Sequence, residues 1–202
     1  MLVENREKKV IFHGEAENLV TQNPKLAEMC FIPCQEELDL TFIRELTLTL
    51  GQELPALFVE FIQQCGGFDV GRDFCFPCAY RHDDPVKRVL ALNLPMTFSD
   101  GRQTCSYPFP LFEGFLLPGG DGYETAVSVL EMCFGHGENQ DALQGRDWRK
   151  LVPFASNNGD VLCLDFNQGG EPSIVYVTYD GVGIYPILPN FTALLLALDY
   201  KS

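Results

Sequence analysis

One stretch of the sequence, residues 151–165, reads LVPFASNNGDVLCLD. At residues 157–159 two asparagines precede a glycine, and these residue types tolerate the adjacent positive φ angles of a tight hairpin turn. The residues that follow, at 161–166, have the apolar composition of a buried strand. The stretch therefore predicts a hairpin turn that leads into this strand.

The chain continues from this hairpin as a meander. A second turn at residues 168–172 contains two glycines and a proline, and residues 173–179 are rich in β-branched and aromatic side chains. We expect this strand to pair antiparallel with the one before it. Residues 180–181 are Asp-Gly, a further turn signal, and they lead towards a third strand at residues 184–188.

Helical patterns surround these strands. In residues 35–50 apolar side chains recur about every four positions, and we interpret the segment as a helix although alternation near its end also fits a strand. The next helix starts at Pro55 and is stopped by the glycines at 66–67. One apolar stripe is predicted along it, formed by Leu54, Leu57, Phe58, Phe61 and Ile62. Residues 124–134 and 191–198 each place apolar side chains on one face. Helices around a strand meander predict an α+β fold, an antiparallel sheet with helices packed on it.

The composition is that of an acidic globular protein. The 202 residues include 28 acidic and 14 basic side chains, which give a formal net charge of −14 at pH 7. Nucleic acid and anionic membrane surfaces would repel such a chain, so we expect neither as a direct partner. Hydrophobic residues make up 46% of the chain, enough for a sizeable core in one large domain or two small ones.

The N-terminus and the cysteines bear on the location of the protein. Residues 1–9 are charged where a secretory signal needs an apolar run, and the apolar run at residues 193–198 is far shorter than a membrane span. The eight cysteines are too sparse and too irregular for a disulfide scaffold. We therefore expect a soluble, cytoplasmic protein whose cysteines are mostly buried thiols.

Two blocks of the sequence resemble a known family. The run LGQELPALFVEF at residues 50–61, closed by Cys-Gly-Gly at residues 65–67, resembles the opening of the Smi/Knr cell-wall-regulator-like domain of the SUKH superfamily. Residues 151–165 resemble the segment of that family with the pattern iPFA.d..GD..clD, and residues 174–177 fit its next strand. Residues 191–198 are similar to its closing helix.

The domain organisation follows from these blocks and from what lies outside them. Residues 1–34 are charged and weakly periodic, so we expect a loosely attached N-terminal extension, in which residues 23–24, Asn-Pro, look like a helix cap. Residues 35–202 then form a single SUKH-like domain. Its middle, about residues 71–120, contains many prolines and several cysteines, and predicts short strands and loops. The family's usual Asp-Ser-Phe before the last helix is replaced by Leu-Pro-Asn-Phe at residues 188–191.

The resemblance implies binding rather than catalysis. Bacterial members of the family are mostly immunity proteins, which bind and neutralise a toxin delivered between competing cells, whereas fungal relatives act as regulatory scaffolds. A basic toxin domain is a protein partner that suits the charge of this chain. Our first hypothesis is a non-catalytic immunity protein. The alternative is a regulatory or scaffold protein without a toxin partner, and a zinc- or thiol-dependent enzyme ranks third.

A Cys-x-x-Cys pair, Cys75 and Cys78, is the strongest site-like feature. Its spacing suits a redox pair or two zinc ligands, but a redox pair normally opens a helix after a strand, whereas this one lies among prolines. A zinc site would also need two further ligands. By residue type the candidates are His82, Cys105, Cys30 and Cys34. We interpret the pair as ordinary buried or loop cysteines, and expect no metal and no cofactor.

No catalytic residue stands out. The three histidines, His13, His82 and His136, are scattered, and we interpret each as an exposed loop residue. Residues 119–122, Gly-Gly-Asp-Gly, lack the Lys-Ser/Thr of a phosphate-binding loop and are interpreted as a turn.

Negative charge is concentrated in one segment. Residues 105–147 contain seven acidic side chains and one basic side chain, Arg146. A well-solvated surface and a field that steers a basic partner both explain this balance, and the sequence leaves both open. The helix at residues 124–134 turns its apolar face inward, so its acidic residues and their neighbours become our candidates for partner binding. These candidates are Asp121, Glu124, Glu131, Glu138 and Asp141.

Overall fold

The structure is a computed structural model. It describes residues 8–9, 11–28, 30–31, 38–65, 78–79, 88–92, 95–99, 104–108, 114–157 and 159–201. In the described part of the chain, no helix is both long enough and apolar enough to cross a membrane.

The main sheet is antiparallel and follows the predicted meander. Its strands are β7 (Gly114–Phe115), β8 (Leu151–Asn157), β9 (Asp160–Asp165), β10 (Ser173–Thr178) and β11 (Gly183–Leu188), in the spatial order β11-β10-β9-β8-β7. The pairing of β8 with β9 confirms the hairpin, since Asn157 lies opposite Asp160. The pairing of β9 with β10 confirms the antiparallel prediction, with Leu162 opposite Tyr176. The α+β fold with an antiparallel sheet is therefore correct.

Six helices accompany the strands in the described ranges. They are α1 (Glu17–Gln22), α2 (Leu40–Leu50), α3 (Ala56–Cys65), α4 (Asp121–Phe134), α5 (Gln140–Leu143) and α6 (Phe191–Ala197). The helix predicted over residues 35–50 begins only at Leu40, because the carboxylate of Asp39 caps it and accepts hydrogen bonds from the backbone N–H of Thr41 and Phe42 at 2.7 and 3.2 Å. Gly51, with φ of +73°, ends the helix.

Phenylalanines from helices and sheet form the centre of the core. The ring of Phe58 on α3 lies 6.1 Å from that of Phe154 on β8 and 5.2 Å from that of Phe191 on α6, both edge to face. Phe61, one turn later on α3, packs 5.5 Å from Phe191. The apolar stripe of α3 predicted from the sequence therefore faces the sheet, and α6 closes over it.

Residues 11–28 are held firmly by the rest of the fold, so the expectation of a loose attachment is wrong for this segment. Phe12, Leu19 and Leu26 are buried in the common core. The side-chain amide of Asn23 donates hydrogen bonds of 3.0 Å to the backbone carbonyls of Leu195 and Leu198 at the end of α6. These bonds join residues more than 170 positions apart in the sequence, so no local pattern could predict them. The division of the chain at residue 35 remains a prediction.

Short strands occupy the proline-rich middle, as expected for the described residues there. They are β3 (Cys78–Ala79), β4 (Arg88–Leu92), β5 (Pro95–Ser99) and β6 (Thr104–Pro108), and two more, β1 (Lys8–Lys9) and β2 (Cys30–Phe31), pair near the N-terminus. Residues Leu198–Lys201 form β12, which pairs antiparallel with β4. Leu198, predicted on the buried side of the closing helix, is buried but opens this strand instead.

Candidate functional site

The candidate site is the exposed side of α4. The helix buries Tyr123, Ala126 and Leu130 against the sheet, and Asp121, Glu124 and Glu131 lie on the opposite side, exposed to solvent. The expectation that these three carboxylates face solvent is therefore confirmed. Their role in binding is not tested by the fold and remains a prediction.

The start of α4 is fixed by close packing against α2. The ring of Tyr123 stands edge to face with that of Phe42, with 5.4 Å between the ring centres. Gly119, in the turn before the helix, has φ of +86°, and a Cβ at this position would lie 3.0 Å from Cγ of Phe42. Glycine thus suits this position, because other residues rarely adopt this backbone angle and a Cβ would be crowded by the ring of Phe42. The predicted turn at residues 119–122 is in fact this turn followed by the first residues of α4.

The end of α4 is capped by the segment that carries the other two candidates. The side-chain amides of Asn139 and Gln140 donate 3.0 Å hydrogen bonds to the backbone carbonyls of Cys133 and Phe134, which have no partner within the helix. Glu138 lies beside these amides in sequence and Asp141 follows on α5, and both are exposed. The five candidates thus lie on one continuous segment of defined backbone.

We call the carboxylates of Asp121, Glu124, Glu131, Glu138 and Asp141 the acidic surface. Residues 114–145 contain these five acids and no Lys or Arg. Within the described ranges, none of the five forms an ion pair with another side chain. Glu124 and Glu131 are two helical turns apart, about 10 Å along the axis. The arrangement leaves a row of uncompensated negative charge that a cationic surface can approach.

A buried ion pair anchors the far end of this segment, and the sequence reasoning did not find it. Nε of Arg146 donates to Oδ2 of Asp165 at 2.8 Å, and the two side chains are only 10% and 0% exposed. Asp165 also accepts from the backbone N–H and the side-chain amide of Asn167, at 2.9 and 2.8 Å. The sequence does contain a signal for this pair. Arg146 is the only Lys or Arg in residues 105–147, and Asp165 lies near the end of a strand that is otherwise apolar.

A second carboxylate, Asp160, ties the turns at one end of the sheet together. Its Oδ1 accepts a 2.8 Å hydrogen bond from the backbone N–H of Tyr179, and its Oδ2 accepts one from the hydroxyl of Tyr176. Burial, followed by this hydrogen bond and the negative charge of Asp160, raises the pKa of Tyr176 well above its usual range. The Gly-Asp of the hairpin block thus has a structural role.

The raised pKa of Tyr176 predicts how the stability of the protein changes at alkaline pH. Tyr176→Phe removes a hydrogen bond to a carboxylate, and we expect the free energy of unfolding to fall by about 1 to 2 kcal/mol at neutral pH. Above about pH 10 the unfolded chain loses the tyrosine proton that the folded chain keeps, so stability falls as pH rises. Urea unfolding from pH 8 to 11 should show a weaker fall for the Phe variant. Tyr179→Phe is the control, because that side chain is exposed; an equal pH dependence in wild type and Tyr176→Phe would contradict the assignment.

The thiols with described side chains are poor candidates for chemistry. Burial raises the pKa of Cys133 and of Cys163, so both are neutral thiols at physiological pH and weak nucleophiles. Cys75 lies outside the described residues, and for Cys78 the structure gives only its place in β3. Among the side chains that are described, no group of three or more His, Cys, Asp or Glu is placed to hold a metal ion.

The histidines are equally uninformative about catalysis. His13 and His136 are exposed, in agreement with the prediction, and His82 lies outside the described residues.

Comparison with known proteins bears on the whole chain rather than on this surface alone. The family model described as SMI1 / KNR4 family (SUKH-1) matches residues 37–197. No curated protein and no solved structure gives a significant match. The matched range contains α2 to α6, the main sheet and the acidic surface. Because the match covers well over half of the 202 residues, the chain belongs to the SMI1/KNR4 family, SUKH-1.

Proposed function

We propose that this chain is a non-catalytic binding protein, an immunity protein that binds and neutralises a basic toxin domain. Membership of the SMI1/KNR4 family is compatible with such a role. The observation that carries the proposal is the acidic surface, in which five exposed carboxylates follow one another without an intervening Lys or Arg. A cationic partner is the kind of protein that this surface attracts.

Neutralisation by this surface needs no catalytic group. A toxin that acts on an anionic substrate presents basic side chains to hold it, and the carboxylates of α4 offer those side chains an alternative partner. The long-range field raises the rate of encounter, and the bound protein then blocks access of the substrate.

The contacts that hold the backbone of the acidic surface in place support the same proposal. The turn at Gly119, the amide caps from Asn139 and Gln140, and the Arg146 ion pair fix the backbone before any partner arrives. A preformed surface loses less conformational entropy on binding than a mobile one. Both described thiols are free, which fits the reducing cytoplasm that we also propose as its location.

Charge reversal on α4 tests the proposal. If the chain is an immunity protein, we expect the gene of its toxin to lie beside its own. We expect the triple variant Asp121→Lys, Glu124→Lys, Glu131→Lys to slow association with that toxin by about 10- to 100-fold at low salt. The difference should shrink at high salt, because ions screen the field. Stopped-flow or surface-based kinetics at two ionic strengths measure both effects.

A control variant distinguishes the effect of the acidic surface from the effect of the total charge of the chain. Glu17→Lys, Glu45→Lys, Glu171→Lys makes the same change in net charge at exposed positions on α1, on α2 and in the β9–β10 turn. It should retain most of the association rate. If both triple variants bind like wild type, the acidic surface is not the binding site. If the wild-type chain neither binds nor protects against the neighbouring toxin, the immunity proposal itself is wrong.

A further inference from the structure

A ridge of exposed side chains runs along α2. Leu40, Arg44 and Leu48 are one turn apart from each other and share one side of the helix. Leu40 is 59% exposed and Leu48 is 81% exposed, the highest value among the large apolar side chains of the described residues. These two leucines are on one face of the helix and are largely exposed to water, so they contribute little to the packing of the core.

A groove lies directly beside this ridge, between α2 and α3. It has a volume of about 540 Å³. Ile43, Leu54 and Val59 give it an apolar lining, and Leu48 stands at its edge. A leucine side chain presented from outside would find both space and apolar contact there.

The charges around the groove are complementary to each other. Arg44 and Glu53 both line it, and no other described residue forms an ion pair with either. Arg44 is also the only Lys or Arg within residues 38–65 and 114–145. When a two-fold rotation relates two copies of such a patch, the exposed leucine of each can meet the groove of the other, and the cation of each can meet the anion of the other.

We propose that the chain forms a homodimer through this α2–α3 face. Leu48 of each copy enters the groove of the other, and Arg44 pairs with Glu53 of the partner subunit, twice in each dimer. Self-association through the acidic surface is disfavoured because like charges would meet there. The α2–α3 face lacks that obstacle. The proposal is independent of toxin binding, since Phe42, which contacts α4, is about 120° around α2 from Leu48.

Sedimentation velocity of the full chain, from low to high micromolar concentration, tests the dimer. We expect wild type to approach twice the chain mass of 22.6 kDa as concentration rises. Leu48→Lys should weaken the dimer by about 100-fold or more, because two apolar contacts are lost and two charges are buried. This exposed position near the end of α2 tolerates Lys as a helix residue, so the fold should survive.

Charge exchange gives the sharper test of the pairing. Arg44→Glu and Glu53→Arg should each weaken the dimer by about 10-fold or more, and the two changes combined should restore it. Met132→Lys is the matched control, since Met132 is 54% exposed and, like Leu48, lies two residues before the last residue of its helix. That variant should dimerise like wild type.

Three results would overturn the proposal. A wild-type chain that never exceeds the mass of a single chain at any concentration would show that this face does not form a dimer. A dimer that survives Leu48→Lys but is lost in Met132→Lys would use α4 instead. A monomer whose Leu48→Lys variant loses affinity for the neighbouring toxin would make the groove part of a toxin-binding site.

Discussion

Replacing Phe61 by alanine is expected to lower the free energy of unfolding by about 3 to 5 kcal/mol. The side chain is only 1% exposed. Its ring centre lies 4.9 Å from that of Phe115 on β7, and it also packs against Phe191 and Phe12. The substitution therefore leaves a cavity where the N-terminal segment, β7, α3 and α6 meet.

Urea unfolding followed by circular dichroism, and by the fluorescence of the single tryptophan, Trp148, measures the loss. Gln63→Ala is the control on the same helix, because Gln63 is exposed and its replacement should change stability by less than about 0.5 kcal/mol. An unchanged midpoint for Phe61→Ala would mean that the buried face of α3 is wrongly assigned.

Local patterns predicted the parts of the fold that depend on neighbours in sequence. The apolar stripe of α3 and the turn at residues 157–159 are of this kind, because periodicity and turn chemistry act over a few residues. The pairing of β7 with β8 and of β12 with β4 was not predicted. Each pairing joins residues that are distant in sequence; for example, Leu198 lies opposite Leu92. The sequence of a short apolar strand does not identify the strand with which it pairs.

The same distinction holds at the candidate site. The exposure of Glu124 and Glu131 follows from helical spacing alone, and the prediction succeeded. The pair between Arg146 and Asp165 depends on how the loop after α5 packs against the end of β9. Acidic residues are mostly exposed in proteins, so residue type alone predicts that Asp165 is exposed. Polar contacts between residues far apart in sequence therefore could not be predicted from local patterns. Such contacts hold the acidic surface in place.

Replacing Asp165 by alanine tests that anchoring role, and we expect a loss of about 3 to 5 kcal/mol in the free energy of unfolding. Arg146 would be left as a charge without its partner in a site where its side chain is only 10% exposed. The N–H groups of Asn167 would lose their acceptor as well. By contrast, Asp147→Ala in the same loop removes an exposed ion pair with Arg149 at 3.8 Å and a 3.0 Å hydrogen bond from the backbone N–H of Arg149, and should cost only about 1 kcal/mol.

A double variant decides whether the uncompensated charge causes the loss. Arg146→Met combined with Asp165→Asn removes both charges and keeps an oxygen acceptor for Asn167, so it should be more stable than Asp165→Ala or Arg146→Met alone. If the pair also positions the segment that carries Asp141, folded Asp165→Ala should associate more slowly with a basic partner, although no carboxylate of the acidic surface has changed. A stability loss below about 1 kcal/mol for Asp165→Ala, or a double variant less stable than both single variants, would show that the ion pair does not anchor this segment.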